Sequence, residues 1–159
     1  MEVARPAQEE DRPVCAELVS KATAGARSMR GGAVLVGATS SDQLLGRWMT
    51  AGSEAILYVG EFHHFVVGVA AATTFARPET AALSGRIECC YVEEGARGVG
   101  VGTALMDSVV AWCIDRGCGD IDALALPGDR SSKQRLEAAG FTARLLTLNR
   151  RLDRSVARY

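Results

Sequence analysis

Net charge is nearly absent from this chain: 18 Lys and Arg stand against 19 Asp and Glu, a formal total of -1. That balance argues against nonspecific attraction to nucleic acid or membrane as the main activity. Long apolar runs are missing as well. Nothing approaches the ~18 residues that a membrane span needs, and the N-terminus has no signal-like pattern, so a reducing cytoplasm is the expected setting. The five cysteines, Cys15, Cys89, Cys90, Cys113 and Cys118, form an odd set without C-x-x-C spacing. They indicate neither a disulfide framework nor a zinc site. Only two histidines occur, His63 and His64, both in a predicted hairpin turn with no further ligands at suitable spacing. No metal is expected. No internal repeat or low-complexity segment is present.

What remains suits one domain over residues 1–159, since 159 residues at 48% hydrophobic can bury a core without covalent help. Charge is spread unevenly: Thr142 to Tyr159 holds five arginines against Asp153, a local +4. Such an end reads as a solvated strand edge or tail. Periodicity and breakers predict a strand at Val3–Pro6, then a helix from Asp11-Arg12-Pro13 with Cys15, Leu18, Val19 and Ala22 on its apolar face. Within Gly25–Ser41 the apolar Ala33–Val36 reads as a strand or a loop. A second helix is predicted over Asp42–Ala51, capped by Ser41 or Asp42. Ala55–Gly60 and Phe65–Phe75 read as a hairpin, and Arg77–Gly85 connects it to a strand at Ile87–Val92. A helix with Val101, Leu105, Val109 and Trp112 on its core face follows, halted by Gly117. A strand at Asp120–Leu126, a helix at Arg130–Ala139 and a final strand from Phe141 to about Leu152 complete the layout. Alternation of strands and helices here implies a mixed α/β sheet with parallel strands either side of the long helix.

The most informative stretch is R-I-E-C-C-Y-V-E-E-G-A-R-G-V-G-V-G-T-A-L-M, from Arg86 to Met106. A strand runs into a glycine ladder and then into a helix whose first N–H groups have no intrahelical partner. A polyanion placed there meets free donors and the positive end of the helix dipole. A dinucleotide fold would want G-x-G-x-x-G, but Thr103 stands where its last glycine belongs. The phosphate loop of nucleotide hydrolases ends in G-K-[ST], and no lysine lies near these glycines. Taken alone, the ladder is also compatible with simple tight packing.

The spacing that does fit is R-x-x-G-x-G, met by Arg97, Gly100 and Gly102, and a second block, D-R-S-S-K-Q-R-L-E-A-A-G-F, lies at Asp129–Phe141. In order and spacing the pair resembles the acyl-CoA-binding blocks of the GNAT superfamily of N-acyltransferases, over roughly the second half of the chain. The resemblance implies a mixed, mostly antiparallel central sheet flanked by helices, with a splayed parallel strand pair holding the cofactor. It also implies acetyl-CoA as cosubstrate and transfer of an acetyl group to a primary amine of a small molecule or peptide.

Carried over by motif, the cofactor residues are Tyr91, Val92, Arg97, Gly98, Val99, Gly100, Val101, Gly102, Thr103, Asp129 and Ser132. The substrate amine must lose a proton before it attacks, and the resemblance implies a carboxylate that removes it through water. Glu88 is the candidate base, and strand alternation predicts that residues 88, 90 and 92 share one face. The alternative is that Glu88 only pairs with an arginine such as Arg86. Leu136 stands where the family often has an acidic tyrosine, which leaves Tyr91, Ser131 or Ser132 to offer a hydroxyl. Asp129 replaces a frequent asparagine and suits a helix cap. The missing tyrosine keeps a second reading open, a CoA-binding sensor or accessory domain with weak catalysis. A short C-terminus suggests that a second subunit completes the acceptor wall, as a homodimer. Cys89 and Cys90 are expected to act as small hydrophobes.

Overall fold

Five strands and five α-helices organise residues 1–50 and 52–152, the part of the chain that the computed structural model describes. Strand β1 (Glu2–Pro6) leads to α1 (Arg12–Arg27), which opens with Pro13 in its first turn and buries Cys15, Leu18 and Val19. Next come α2 (Gly32–Val36) and α3 (Ser41–Thr50). The hairpin strands are β2 (Ala55–Phe62) and β3 (Phe65–Ala76), with the exposed His63 and His64 in the turn between them. Strand β4 (Leu83–Val92) leads through the glycine ladder to α4 (Val101–Asp115). Finally β5 (Ile121–Ala123) precedes α5 (Arg130–Ala138).

The strands form one sheet in the order β1-β2-β3-β4-β5, antiparallel from β1 to β4 and parallel between β4 and β5. The expected mixed, mostly antiparallel sheet flanked by helices is thus present. Helix α4 covers one face, where Val101, Leu105, Val109 and Trp112 pack against Ala70, Ala72 and Ile87. Helices α1 and α3 cover the other, where Leu18, Val19, Leu45 and Trp48 pack against Leu57, Val59 and Val69. Each fully buried aliphatic side chain contributes about 1.5–3 kcal/mol to holding these layers together. On the α4 face, Gly60 of β2 lets the helix come close: a Cβ there would lie 2.6 Å from Val101 Cγ1.

Several expectations are corrected. Ala33–Val36 belongs to a single helical turn and not to a strand; it has no neighbouring strand edge to pair with. The cap of α3 is Ser40, whose hydroxyl accepts from Gln43 N at 3.2 Å while Ser40 N donates to Gln43 Oε1 at 3.0 Å. This reciprocal capping box displaces Ser41 and Asp42 from that role. Strand β4 begins at Leu83, earlier than expected, and β5 spans only three residues because Leu124 to Leu126 turn away from β4. The final strand over 141–152 does not form. A lone segment has only the three-residue edge of β5 to pair with, and Leu145, Leu146, Leu148 and Leu152 stay exposed. Of the arginine-rich end, Arg144 pairs with Asp122 at 3.3 Å, whereas Arg154 and Arg158 lie outside the described residues.

Candidate active site

Two departures from regular pairing create the site. The ladder between β4 and β5 holds only for Gly85, Arg86 and Ile87, opposite Ile121, Asp122 and Ala123. Beyond Ile87 the two strands part. On the other side of β4, Ala72 pairs with Ile87 and Ala71 with Cys89, so Glu88 is an extra residue with no partner in the register. Such a β-bulge resets the alternation of side chains. The expected common face for 88, 90 and 92 is therefore wrong: Glu88 reaches α3, Cys89 and Tyr91 pack with α1 and α3, and Cys90 and Val92 pack under α4.

A cleft of about 520 Å³ lies along the parting strands, walled by α1 to α3 on one side and by β5 and α5 on the other. Arg97, where the glycine ladder begins, is among its lining residues. Gly98 and Gly100 hold φ values of +82° and +94°, which side-chain-bearing residues rarely adopt. A Cβ on Gly100 would also sit 3.0 Å from the Glu2 carboxylate. The first bond back into the ladder comes from Ala104 N to Gly100 O, and the N–H groups of residues 98 to 103 donate to no described protein acceptor. Six consecutive free donors at the mouth of a fifteen-residue helix make a ready anion cradle.

Among the motif residues, Val101 is buried in the core and offers only its backbone, whereas Val99 and Thr103 face solvent. Arg97 Nε donates to Val92 O at 3.0 Å, and its guanidinium stands 5.8 Å from the Tyr91 ring centre. That bond ties the strand end to the turn. Gly102 lies beside Arg135 of α5, whose Nη1 would be 3.6 Å from an added Cβ. The Asp129 carboxylate caps α5, accepting from Ser132 N and from Ser131 Oγ, both at 3.1 Å. Burial pushes this carboxyl up, but the bonds from Ser132 and Ser131 outweigh it and hold it below the ordinary range. The residues here fit a diphosphate-bearing ligand: free amides, glycines at the closest approach and added cations at the rim.

At the other end Glu88 is held by three donors. Thr73 Oγ1 reaches one carboxylate oxygen at 2.9 Å, Trp48 Nε1 reaches the other at 2.9 Å, and Arg47 forms an ion pair with it. The partner arginine is Arg47 and not Arg86. Glu88 is only 20% exposed whereas Arg47 is 51% exposed, so the first two donors fix the carboxylate and the third is a surface arm. Glu93 is occupied by Lys21. Desolvation pushes the Cys89 thiol up to about 12 and raises Cys90 as well, which suits apolar packing and not nucleophilic attack. Leu136 packs toward the α4 side of the sheet.

Sequence reasoning missed Arg47, Trp48, Thr73 and Arg135, and it named Arg86 only as a partner for Glu88. Only register and helix placement bring them to the cleft; Trp48 on a polar-flanked helix was the one visible cue.

Residues 34–141 match the model of the acetyltransferase (GNAT) family. Among curated proteins, no sequence matches. A solved transcriptional regulator from Bacillus halodurans C-125 superposes with a TM-score of 0.75 at 18% identity, over 96% of this chain and 100% of that one. A predicted acetyltransferase with acetyl-CoA from Clostridium acetobutylicum gives 0.70 at 20% identity, over 94% and 96%. The aminoglycoside 6'-N-acetyltransferase from Acinetobacter haemolyticus gives 0.69 at 18% identity, over 94% and 99%. At such identities the structures share the fold alone. The family model, which spans well over half of the chain, carries the assignment further: this protein belongs to the GNAT acetyltransferase family.

Proposed function

We propose that this protein moves an acetyl group from acetyl-CoA to a primary amine of a small molecule or peptide by direct attack. The observation that carries the reading is the row of six unpartnered N–H groups at residues 98 to 103, set beside a parted parallel strand pair. Acetyl-CoA, when bound, supplies the acyl group as a thioester. The amides of Gly98 to Thr103 hold the diphosphate, Arg97 and Arg135 add positive charge at its rim, and the open edge of β4 at Tyr91 and Val92 lines the pantetheine arm. Asp129 and Ser132 keep the start of α5 in place on the opposite wall.

The chain's own acid-base work falls to Glu88. Trp48 and Thr73 keep the carboxylate oriented, and the exposed Arg47 is its exchangeable partner, since a surface ion pair is worth only about 0–1 kcal/mol. An incoming ammonium takes the place of Arg47, and Glu88 receives its proton through water. With Leu136 in the place of a tyrosine, the departing sulfur relies on the low basicity of a thiolate, whose conjugate acid has a pKa near ~8.5. Tyr91, which lines the cleft, is the candidate for a hydroxyl donor. The same reading places the enzyme in the cytoplasm as a homodimer in which the exposed leucines of 141–152 gain cover.

The second reading is a domain that binds acetyl-CoA without turning it over, and the engagement of Glu88 by three donors favours it. Calorimetry with acetyl-CoA, followed by thiol release across an amine panel, separates the two. Heat of binding together with thiol release supports the enzyme; heat without release on any amine supports the sensor. Absence of heat sinks both.

A further inference from the structure

We infer that the acceptor is an amine that also carries a carboxylate, and that Arg86 is the residue that reads the carboxylate. The inference rests on the acetyltransferase reading above and names the substrate class of the same site.

The cleft is lined by more cations than acids, and the cations are not equivalent. At the cofactor end, Arg97 is bonded to Val92 O and Arg135 lies against the first turn of α4. On the α1–α3 side, Lys21 pairs with Glu17 at 2.8 Å and with Glu93, while Arg47 pairs with Glu88. Arg86 forms no ion pair among the described residues. Its Nε is buried and is the one buried side-chain nitrogen or oxygen in the described residues without a hydrogen-bond partner. Buried N–H groups are nearly always satisfied, so an orphan beside a cleft marks a place where something else supplies the acceptor.

Its neighbours explain why no protein group does. Asp122, opposite Arg86 in the β4–β5 register, gives its carboxylate to Arg77 at 2.9 Å and to Arg144 at 3.3 Å. Thr73, opposite it on β3, donates to Glu88. The guanidinium lies 4.4 Å from the centre of the Phe75 ring, a contact that supplies no hydrogen-bond acceptor to its edge. A planar fork held on an aromatic face suits two-pronged recognition of a carboxylate.

Position along the strand adds the second half of the argument. Arg86 and Glu88 are two residues apart before the bulge resets the pattern, so they share the α3 face about 6–7 Å apart along β4. A cation and an anion side by side match a molecule with the opposite pair of charges. The ammonium goes to Glu88, displacing Arg47, and the carboxylate goes to Arg86. A simple amine would leave Arg86 as unsatisfied as before.

The test compares amines that differ only in the carboxylate: β-alanine with propylamine, lysine with cadaverine, methionine with methioninamide. Phosphoethanolamine with ethanolamine forms a further arm, and thiol release is followed with acetyl-CoA in every case. The carboxylate-bearing member is expected to show at least tenfold higher kcat/KM in one or more pairs. Arg86→Gln is expected to collapse that ratio toward one, and Arg86→Lys to recover part of it, since charge survives but the fork does not. Acetyl-CoA calorimetry on each variant reports that it is folded and loaded. Wild-type ratios near one, no turnover of any pair despite heat with acetyl-CoA, or a greater preference for the phosphorylated amine would overturn the inference while leaving the cofactor reading intact. Should Arg86→Gln fail to fold, the wild-type ratios and the lysine variant still decide. No heat with acetyl-CoA overturns the reading beneath it.

Discussion

The two ends of the cleft are built from different material. At the glycine ladder the donors are backbone amides, held by two glycines at positive φ and by a helix that docks on the sheet. At Glu88 the donors are the side chains of Arg47, Trp48 and Thr73, drawn from two separate elements, α3 and β3. A site made of backbone tolerates any side chain that stays out of the way, and therefore announces itself through glycine spacing. A site made of side chains depends on register, and a one-residue bulge suffices to re-aim it.

The largest effect that would test this contrast is at the side-chain end. Glu88→Gln keeps shape and one acceptor oxygen but removes the proposed base, so kcat is expected to fall by about 10²- to 10⁴-fold. Acetyl-CoA affinity in calorimetry should stay within about twofold of the parent, because the cradle is remote. A loss of affinity comparable to the loss of rate would mean that the two ends are not separate.

At the backbone end, Gly100→Val meets both a forbidden φ and the Glu2 carboxylate. It is expected to weaken acetyl-CoA binding by about tenfold or more, in line with strain of about 1–3 kcal/mol. Gly98→Ala is the control, since its added Cβ meets nothing within 4 Å yet the φ of +82° remains strained. It should lose less than Gly100→Val. Equal losses would show that backbone strain alone, and not the crowding at Glu2, sets the effect.

A smaller effect belongs to Asp129. Asp129→Ala removes the cap of α5 and is expected to cost about 1 kcal/mol at neutral pH, a fall in Tm of about 2–4 °C. Because the folded carboxyl is held below its ordinary value, its contribution is complete above an unfolded pKa near ~3.9 and fades as pH falls through the folded one. Melts of parent and variant should therefore begin to converge as pH falls below about 4. Curves that stay parallel there would assign the loss to packing and not to the cap.

Smallest of all is Arg47→Ala. An exposed ion pair contributes at most about 1 kcal/mol, so Tm should barely move. KM for the amine is the quantity to watch: if Arg47 is the partner that an ammonium displaces, its removal lowers KM or leaves it unchanged. A large rise in KM would make Arg47 part of the acceptor site proper.

How much of this was legible in the sequence follows from the same contrast. The ladder at Arg97 to Thr103, the cap at Asp129 and the core face of α4 are local patterns, and they stand where motif and periodicity put them. The orientation of Glu88 was not legible, because a bulge has no reliable signature in a single strand and inverts every inference made by alternation across it. Ala33–Val36 misled for a related reason: pairing needs a free edge that apolar composition does not reveal, and the segment is largely exposed, Val34 to 88%. The missing strand over 141–152 is the converse case, a strand-like pattern without enough of a partner. Ser40 could have been found, since S-x-x-Q precedes the helix in plain view.

Gly60 has an effect on the site that distance conceals. It sits on β2, two strands away from the cleft, and touches no ligand group, yet its bare α-carbon is the seat on which Val101 rests at the start of α4. One methyl group there would press on Val101 and Leu105 and shift the start of α4, and with it the row of amides proposed to hold an anion. The thickness of the layer between sheet and helix thus works as a mechanical gauge for the cradle, and a screen that scores residues only by their nearness to the cofactor would pass over the setting screw.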